Sequence, residues 1–189
     1  MRLILIRHGE SLDNKRKVFQ GQSDSALSEL GVVQAKKLAK RLKGEKIDDI
    51  YSSDLIRAKQ TAEEILKYHK ESVLVLDQRI RERHFGELQG KPHSAITNWD
   101  DLPKSVETES AMLRRVEDFF NDIYHKHKDK TVLVVCHGGV KRRFFELFFT
   151  GSEKIKEFEK AKNTSITEYK INESGNHELI IINCTKHLE

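Results

Sequence analysis

Apolar residues run without polar interruption in two places, Leu3-Ile4-Leu5-Ile6 and Val132-Leu133-Val134-Val135-Cys136. Unbroken aliphatic runs of this length predict strands buried on both faces, as in parallel sheets covered by helices. Between and after them the pattern changes to helical spacing. Ser28 can cap a helix running to about Lys43, with Val32, Ala35, Leu38, Ala39 and Leu42 on one face, lysines on the other and Gly44 at its end. Ile47 to Ser53 reads as a short strand, followed by a helix that Asp54 can cap and whose Leu55, Ala58, Ala62, Ile65 and Leu66 recur at helical intervals. Val73 to Leu76 predicts another strand; Leu113, Val116, Phe120 and Ile123 mark a long helix, and Phe144 to Phe149 lie on a helix after the second apolar run. Ile166 to Ile171 and Leu179 to Ile182 read as closing strands around a turn at Ser174-Gly175-Asn176. From about 79 to 108, Gly86, Gly90, Pro92 and Pro103 interrupt any period, which predicts an irregular, lid-like segment over a pocket. The alternation predicts a single α/β domain over 1–189, a three-layer sandwich with a mostly parallel central sheet flanked by helices.

Both apolar runs end on a histidine followed by glycine, His8-Gly9 and His137-Gly138-Gly139. Ligands of open α/β sheets sit at the carboxyl ends of the strands, and the glycines leave the backbone free to turn there. If the two strands are parallel neighbours, both imidazoles face one pocket. Arg7 stands beside His8, and Arg57 falls in the first turn of the helix after Asp54. Guanidinium groups grip phosphate or carboxylate oxygens in pairs, and a helix start adds backbone donors. Two arginines, two imidazoles and a helix start suit a dianion. His125 and His127 are the nearest approach to a metal pair, but they point to different faces of a helix, so neither a metal site nor a cofactor is expected.

Charge changes this picture little. The 34 Lys and Arg stand against 30 Asp and Glu, and a net charge of +4 over 189 residues does not imply a nucleic-acid partner. Arg7 follows Met1 too closely for a signal segment, and no later run is long enough to span a membrane. Two cysteines make no disulfide framework, and together these features lead to the expectation of a cytoplasmic protein. The closing strands leave an edge at which a homodimer could form.

Four ordered motifs then carry a resemblance: Arg7-His8-Gly9-Glu10-Ser11, the stretch Ser52-Ser53-Asp54-Leu55-Ile56-Arg57-Ala58, Arg81-Glu82 before Phe85-Gly86, and His137-Gly138-Gly139. In order and spacing they are similar to the histidine phosphatase superfamily, the phosphoglycerate mutase-like family, over nearly the whole chain. The resemblance implies a phosphatase that hydrolyses a small phosphorylated metabolite without metal. His8 would attack the phosphoryl group and become a phosphohistidine. Arg7, Arg57 and His137 would bind its oxygens, with Asn14 and Gly138 as further phosphate contacts, and Glu82 would serve as general acid and then base. Physically, an imidazole nucleophile needs one ring nitrogen free and the other held by a backbone carbonyl in the following loop. Glu10 is the competing acid, nearer His8 in sequence.

Three other readings compete. A cofactor-dependent phosphoglycerate mutase would share the motifs but carry a longer, more basic segment between the acid and the second histidine; here Glu82 to His137 is compact, and Gln22 and Ala26 stand where mutases commonly have tryptophan and proline. Cys136 to Arg142 fits the Cys-x5-Arg loop of tyrosine phosphatases, although Val135 and Arg143 depart from that loop's usual flanks. A non-catalytic module binding a phospho-ligand or nucleic acid would leave the acid and the nucleophile idle.

Overall fold

A computed structural model describes residues 1–149, 161–173 and 175–189. Among them lie strands β1 (Arg2–Arg7), β2 (Asp49–Ser52), β3 (Val73–Leu76), β4 (Thr131–Cys136), β5 (Ile166–Lys170) and β6 (Glu178–Cys184). They form one six-stranded sheet in the order β3-β2-β4-β1-β5-β6. β1 pairs parallel with β4, and β2 pairs parallel with β4 and β3, while β5 joins β1 antiparallel and β6 joins β5 antiparallel. The sheet is thus mostly parallel, as expected. The register sets Leu3 beside Val132 and Arg7 beside Cys136, so both strands reach their histidines at the same level.

The two apolar runs are fully buried because helices cover both faces of the sheet. Leu3, Leu5, Val132 and Val134 pack with residues of α4 (Glu109–Lys126) and α5 (Gly138–Phe148), among them Met112, Val116, Phe119 and Phe144. The alternate residues Ile4, Ile6, Leu133 and Val135 pack on the other side with Leu38 and Leu42 of α2 (Glu29–Leu42) and Ala58, Ala62 and Ile65 of α3 (Ile56–Leu66). This is a three-layer α/β sandwich. Among the described residues no helix is long and apolar enough to cross a membrane.

Local chemistry explains most element boundaries and corrects one. Ser28 caps α2 by accepting the Gly31 amide. Asp54 does not cap α3: its carboxylate receives Arg81 at 2.7 Å, Leu55 is the capping residue without a side-chain bond, and the Ile56 amide finds Asp24 at 2.8 Å instead. A long-range partner met the orphan donor that a local one was expected to meet. A short helix that periodicity missed, α1 (Leu12–Arg16), is closed by a capping box between Ser11 and Asn14. The segment from 79 to 108 is irregular, with short 3-10 turns at Gly86–Leu88 and His93–Ala95, and it hangs on a small core of Phe19, Leu88 and Val106. Gly175 and Asn176 are described, but Ser174 of the expected turn lies outside the described residues.

The His8 loop is pressed onto α2 through Gly31, where an added Cβ would meet the Glu10 backbone nitrogen at 2.9 Å and its carbonyl carbon at 2.8 Å. Backbone cannot yield as a side-chain end can. Gly31→Ala is therefore expected to cost about 2–3 kcal/mol and to lower the melting temperature by roughly 5–10 °C in a thermal scan.

Candidate active site

At the carboxyl ends of β1 and β4, the His8 and His137 rings stand with centroids 5.1 Å apart. Parallel pairing continues one residue past the strand, since the His8 amide donates to the Cys136 carbonyl at 3.0 Å. The His8 Nδ1 lies 2.6 Å from the Gly9 carbonyl oxygen. A carbonyl only accepts, so Nδ1 carries the proton and Nε2 keeps its lone pair. The expected backbone partner in the following loop is thereby found. His137 caps α5 at its N-terminus, which places the Gly138 and Gly139 amides at the positive end of that helix.

Around the two rings the cations are buried and incompletely paired. Arg57 is 1% exposed; its terminal nitrogens donate to the Gly21 and Ser23 carbonyls at 2.8 and 2.9 Å, and its Nε has no partner among the described residues. Arg7 donates to the Ala161 carbonyl and likewise leaves Nε unpaired, and both ring nitrogens of His137 are buried without a partner. Unsatisfied buried donors are rare, and several converging on one place mark a site for an acceptor-rich ligand. Burial first, then Arg57 and Arg7, holds the protonation of His8 well below the usual histidine range. His137 is depressed in the same way by burial, Arg57 and His8. Burial lowers Arg57 to about 10, which leaves it a cation at neutral pH.

Glu82 joins this group from the irregular segment. Its Oε2 accepts the Gly139 amide at 3.2 Å and its Oε1 the Arg83 amide at 2.9 Å, and it lines the same cavity as Arg7, Gly138 and Gly139. A Cβ on Gly139 would meet this carboxylate, so a larger residue there would have to push the Glu82 side chain aside. The backbone carrying Glu82 is gripped by Arg115 of α4, which donates to the carbonyls of Arg79, Arg81 and Glu82 at 2.7, 2.6 and 3.0 Å and pairs with Glu107 at 2.7 Å. Gln22 adds a bond to the Glu82 carbonyl at 3.1 Å. Nothing in the helical spacing of Arg115 reveals from the sequence which carbonyls it will meet.

The other candidates are held in different ways. Asn14 uses its carbonyl oxygen for the Ser11 cap and for Asn163, which in turn bonds the His8 carbonyl at 2.9 Å, so its NH2 end is the one it can turn to a ligand. Glu10 accepts from Ser28 at 2.7 Å and is tied to the start of α2. Cys136 is sealed inside β4, and burial pushes its thiol up to about 12, which opposes thiolate chemistry at neutral pH. Arg142 of the same loop motif pairs with Glu146 at 3.3 Å. The cavity measures about 770 Å³, far larger than a phosphate, and Phe85, Trp99, Arg83 and Arg143 also line it. The sequence reading also missed residues 163–165. Thr164 holds a left-handed backbone, φ 57°, and its amide reaches the carbonyls of Arg7 and His8 at 2.9 and 3.2 Å. A β-branched residue in that conformation is strained and persists only where other bonds fix it.

The histidine phosphatase superfamily (branch 1) matches residues 3–183. A probable phosphatase, C1687.21, of Schizosaccharomyces pombe is 34% identical over 206 residues, covering 100% of this chain and 96% of the relative. Phosphoglycerate mutase-like protein 4 of Arabidopsis thaliana is 31% identical over 202 residues, covering 99% of this chain and 86% of the relative. Among solved structures, a phosphoserine phosphatase mutant from Entamoeba histolytica in complex with phosphoserine superposes with a TM-score of 0.84 at 27% identity, covering 100% of this chain and 99% of the other.

Proposed function

This chain belongs to the histidine phosphatase superfamily, and from that premise we propose that it hydrolyses a small phosphorylated metabolite through a phosphohistidine on His8. The observation that carries this reading is the pairing of a free His8 Nε2 with unpaired buried donors of Arg7, Arg57 and His137 around it. In the first step Nε2 forms a bond to phosphorus, the ester P–O bond breaks, and Glu82 gives its proton to the departing oxygen. In the second, water attacks phosphorus, the P–N bond breaks, and Glu82 takes the proton of the water. Charge on the transferring phosphoryl oxygens is met by the fixed donors of Arg7, Arg57 and His137, with Asn14 and the Gly138 amide at the α5 start as further contacts. Such donors are worth more in a buried pocket than in water because they are already oriented.

A cavity of about 770 Å³ suits a metabolite-sized leaving group, and a relative in complex with phosphoserine supports an amino-acid or sugar-sized substrate over a bulky one. Support for hydrolysis over transfer to a second substrate comes from the short stretch between Glu82 and His137, which lacks the mutases' basic run. The test is phosphate release from a panel of phosphomonoesters, with and without chelator. Turnover is expected to be unchanged by EDTA, since side chains supply every cation the chemistry needs; complete loss on chelation would overturn the mechanism.

Arg115 offers a further check. Arg115→Ala frees three carbonyls of the segment carrying Glu82, and a misplacement of about 1 Å in a catalytic group costs up to roughly 100-fold. The variant is expected to lose kcat by about that factor with a smaller change in KM, measured by steady-state phosphate release.

A further inference from the structure

Lys141 has no part in the chemistry above, yet it is 0% exposed directly beneath it. Its own amide bonds the His137 carbonyl at 3.1 Å, which places it one turn into α5 behind the phosphate-facing histidine. Its Nζ donates to the Ser165 carbonyl at 3.1 Å, the Ser165 hydroxyl at 2.9 Å and the Asn183 side-chain oxygen at 2.9 Å. The Ser165 carbonyl also receives the Arg7 amide at 3.3 Å, so the ammonium and the phosphate-gripping arginine share one acceptor. Residues 163–165 form a clasp on the His8 loop: Asn163 and Thr164 bond its carbonyls, and Thr164 is held there in a strained conformation. The only side chain of α5 tying this clasp to the helix, among the described bonds, is Lys141.

We propose that Lys141 is a positioning residue for the anion site, whose ammonium form locks the 163–165 clasp against α5 and adds a positive charge behind Arg7, so that dianion binding takes up a proton. The ammonium donates to all three partners, whereas a neutral amine donates to only two and must take the third bond from the Ser165 hydroxyl turned round as a donor, losing the charge behind Arg7. All three acceptors are neutral, and a buried ammonium without a carboxylate is held weakly. Burial accordingly lowers Lys141 to about 7. The charged and titratable groups around it do not compete in this range. Arg7 of β1 is a permanent cation that lowers Lys141, Cys136 of β4 is a thiol pushed up to about 12, Tyr169 of β5 is pushed well above its usual value, His137 of α5 is held well below its own, and burial lowers His187, which touches the Thr164 hydroxyl.

This inference rests on the phosphate-site reading of the pocket, and the probe is sulfate, a dianion that does not itself titrate near neutrality. Its dissociation constant for the wild-type protein is expected to rise roughly fivefold or more between about pH 6 and about pH 8.5, and in Lys141→Met to stay flat at the weak, high-pH value. A flat wild-type profile, or an unaltered slope in Lys141→Met, would overturn the proposal while leaving the phosphate site intact. No sulfate binding at any pH would overturn both. Should the variant fail to fold, the Lys141 Cε resonance of the wild type decides: by reciprocity, saturating sulfate must move its titration midpoint upward. A lysine serving only as structural support would show no such movement.

Discussion

His8→Ala is expected to abolish phosphomonoester turnover, with kcat falling by on the order of 10⁴ or more while the fold is retained, as for other nucleophile deletions. The argument is geometric before it is chemical. With Nδ1 donating to the Gly9 carbonyl, the lone pair of Nε2 is the free one, and the burial of the ring beside Arg57 and Arg7 keeps it unprotonated well into mildly acidic solution. Alanine also removes a side chain that is 3% exposed, so a circular-dichroism spectrum and a melting curve must accompany the assay. The paired experiment is Cys136→Ser. The thiol sits in the sheet between β1 and β2, and serine there should lower stability modestly and leave kcat nearly unchanged. Activity kept in His8→Ala and lost in Cys136→Ser would reverse the assignment. Trapping of a phosphoryl-enzyme that is labile to acid and stable to base would support the histidine directly.

Glu82→Ala is expected to lower kcat for alkyl phosphates by about 10² to 10⁴, the usual contribution of a positioned acid, and to spare p-nitrophenyl phosphate far more. An alkoxide needs a proton in order to leave, whereas nitrophenolate does not. Alanine is the better choice than glutamine, because an amide would turn its NH2 against the Gly139 or the Arg83 amide, both of which now donate to the carboxylate. Equal losses for both substrates would show that Glu82 acts by binding or by shaping the loop instead of by proton transfer. The same pair of substrates separates Glu82 from Glu10, whose carboxylate is committed to Ser28 and whose removal should give no dependence on the leaving group.

Much of this site was legible in the chain itself. Unbroken apolar runs announced strands buried on both faces, and each run ended on its histidine, so neighbouring parallel strands were enough to bring the rings together. Arg57 was placed correctly on the first turn of its helix, although the residue expected to cap that helix serves Arg81 instead and Asp24 caps it from the first loop. Of the residues in the four motifs, His8, His137 and Arg57 are buried near one another, and Arg7, Glu82, Gly138 and Gly139 line the cavity. What periodicity could not foretell was every interaction made by a long side chain across the fold. Nothing in the sequence sets Arg115 and Lys141 apart from other basic residues on amphipathic helices. One proved to bind the backbone that carries Glu82, the other to lie at 0% exposure under Arg7.

Hydrophobic patterning, turn residues and short motifs are local, and the sequence by itself determined what they control: the order of the main elements, the two-sided burial of β1 and β4, and the placing of Arg7 and His8 at the end of β1 and of Arg57 in the first turn of α3. The tertiary structure alone decided which carbonyl each distant guanidinium or ammonium reaches, that Cys136 is sealed inside the sheet, and that a strained Thr164 clasps the His8 loop. Those outcomes depend on residues far apart in the chain being brought within hydrogen-bond distance, where burial turns a weak surface interaction into one the backbone must satisfy.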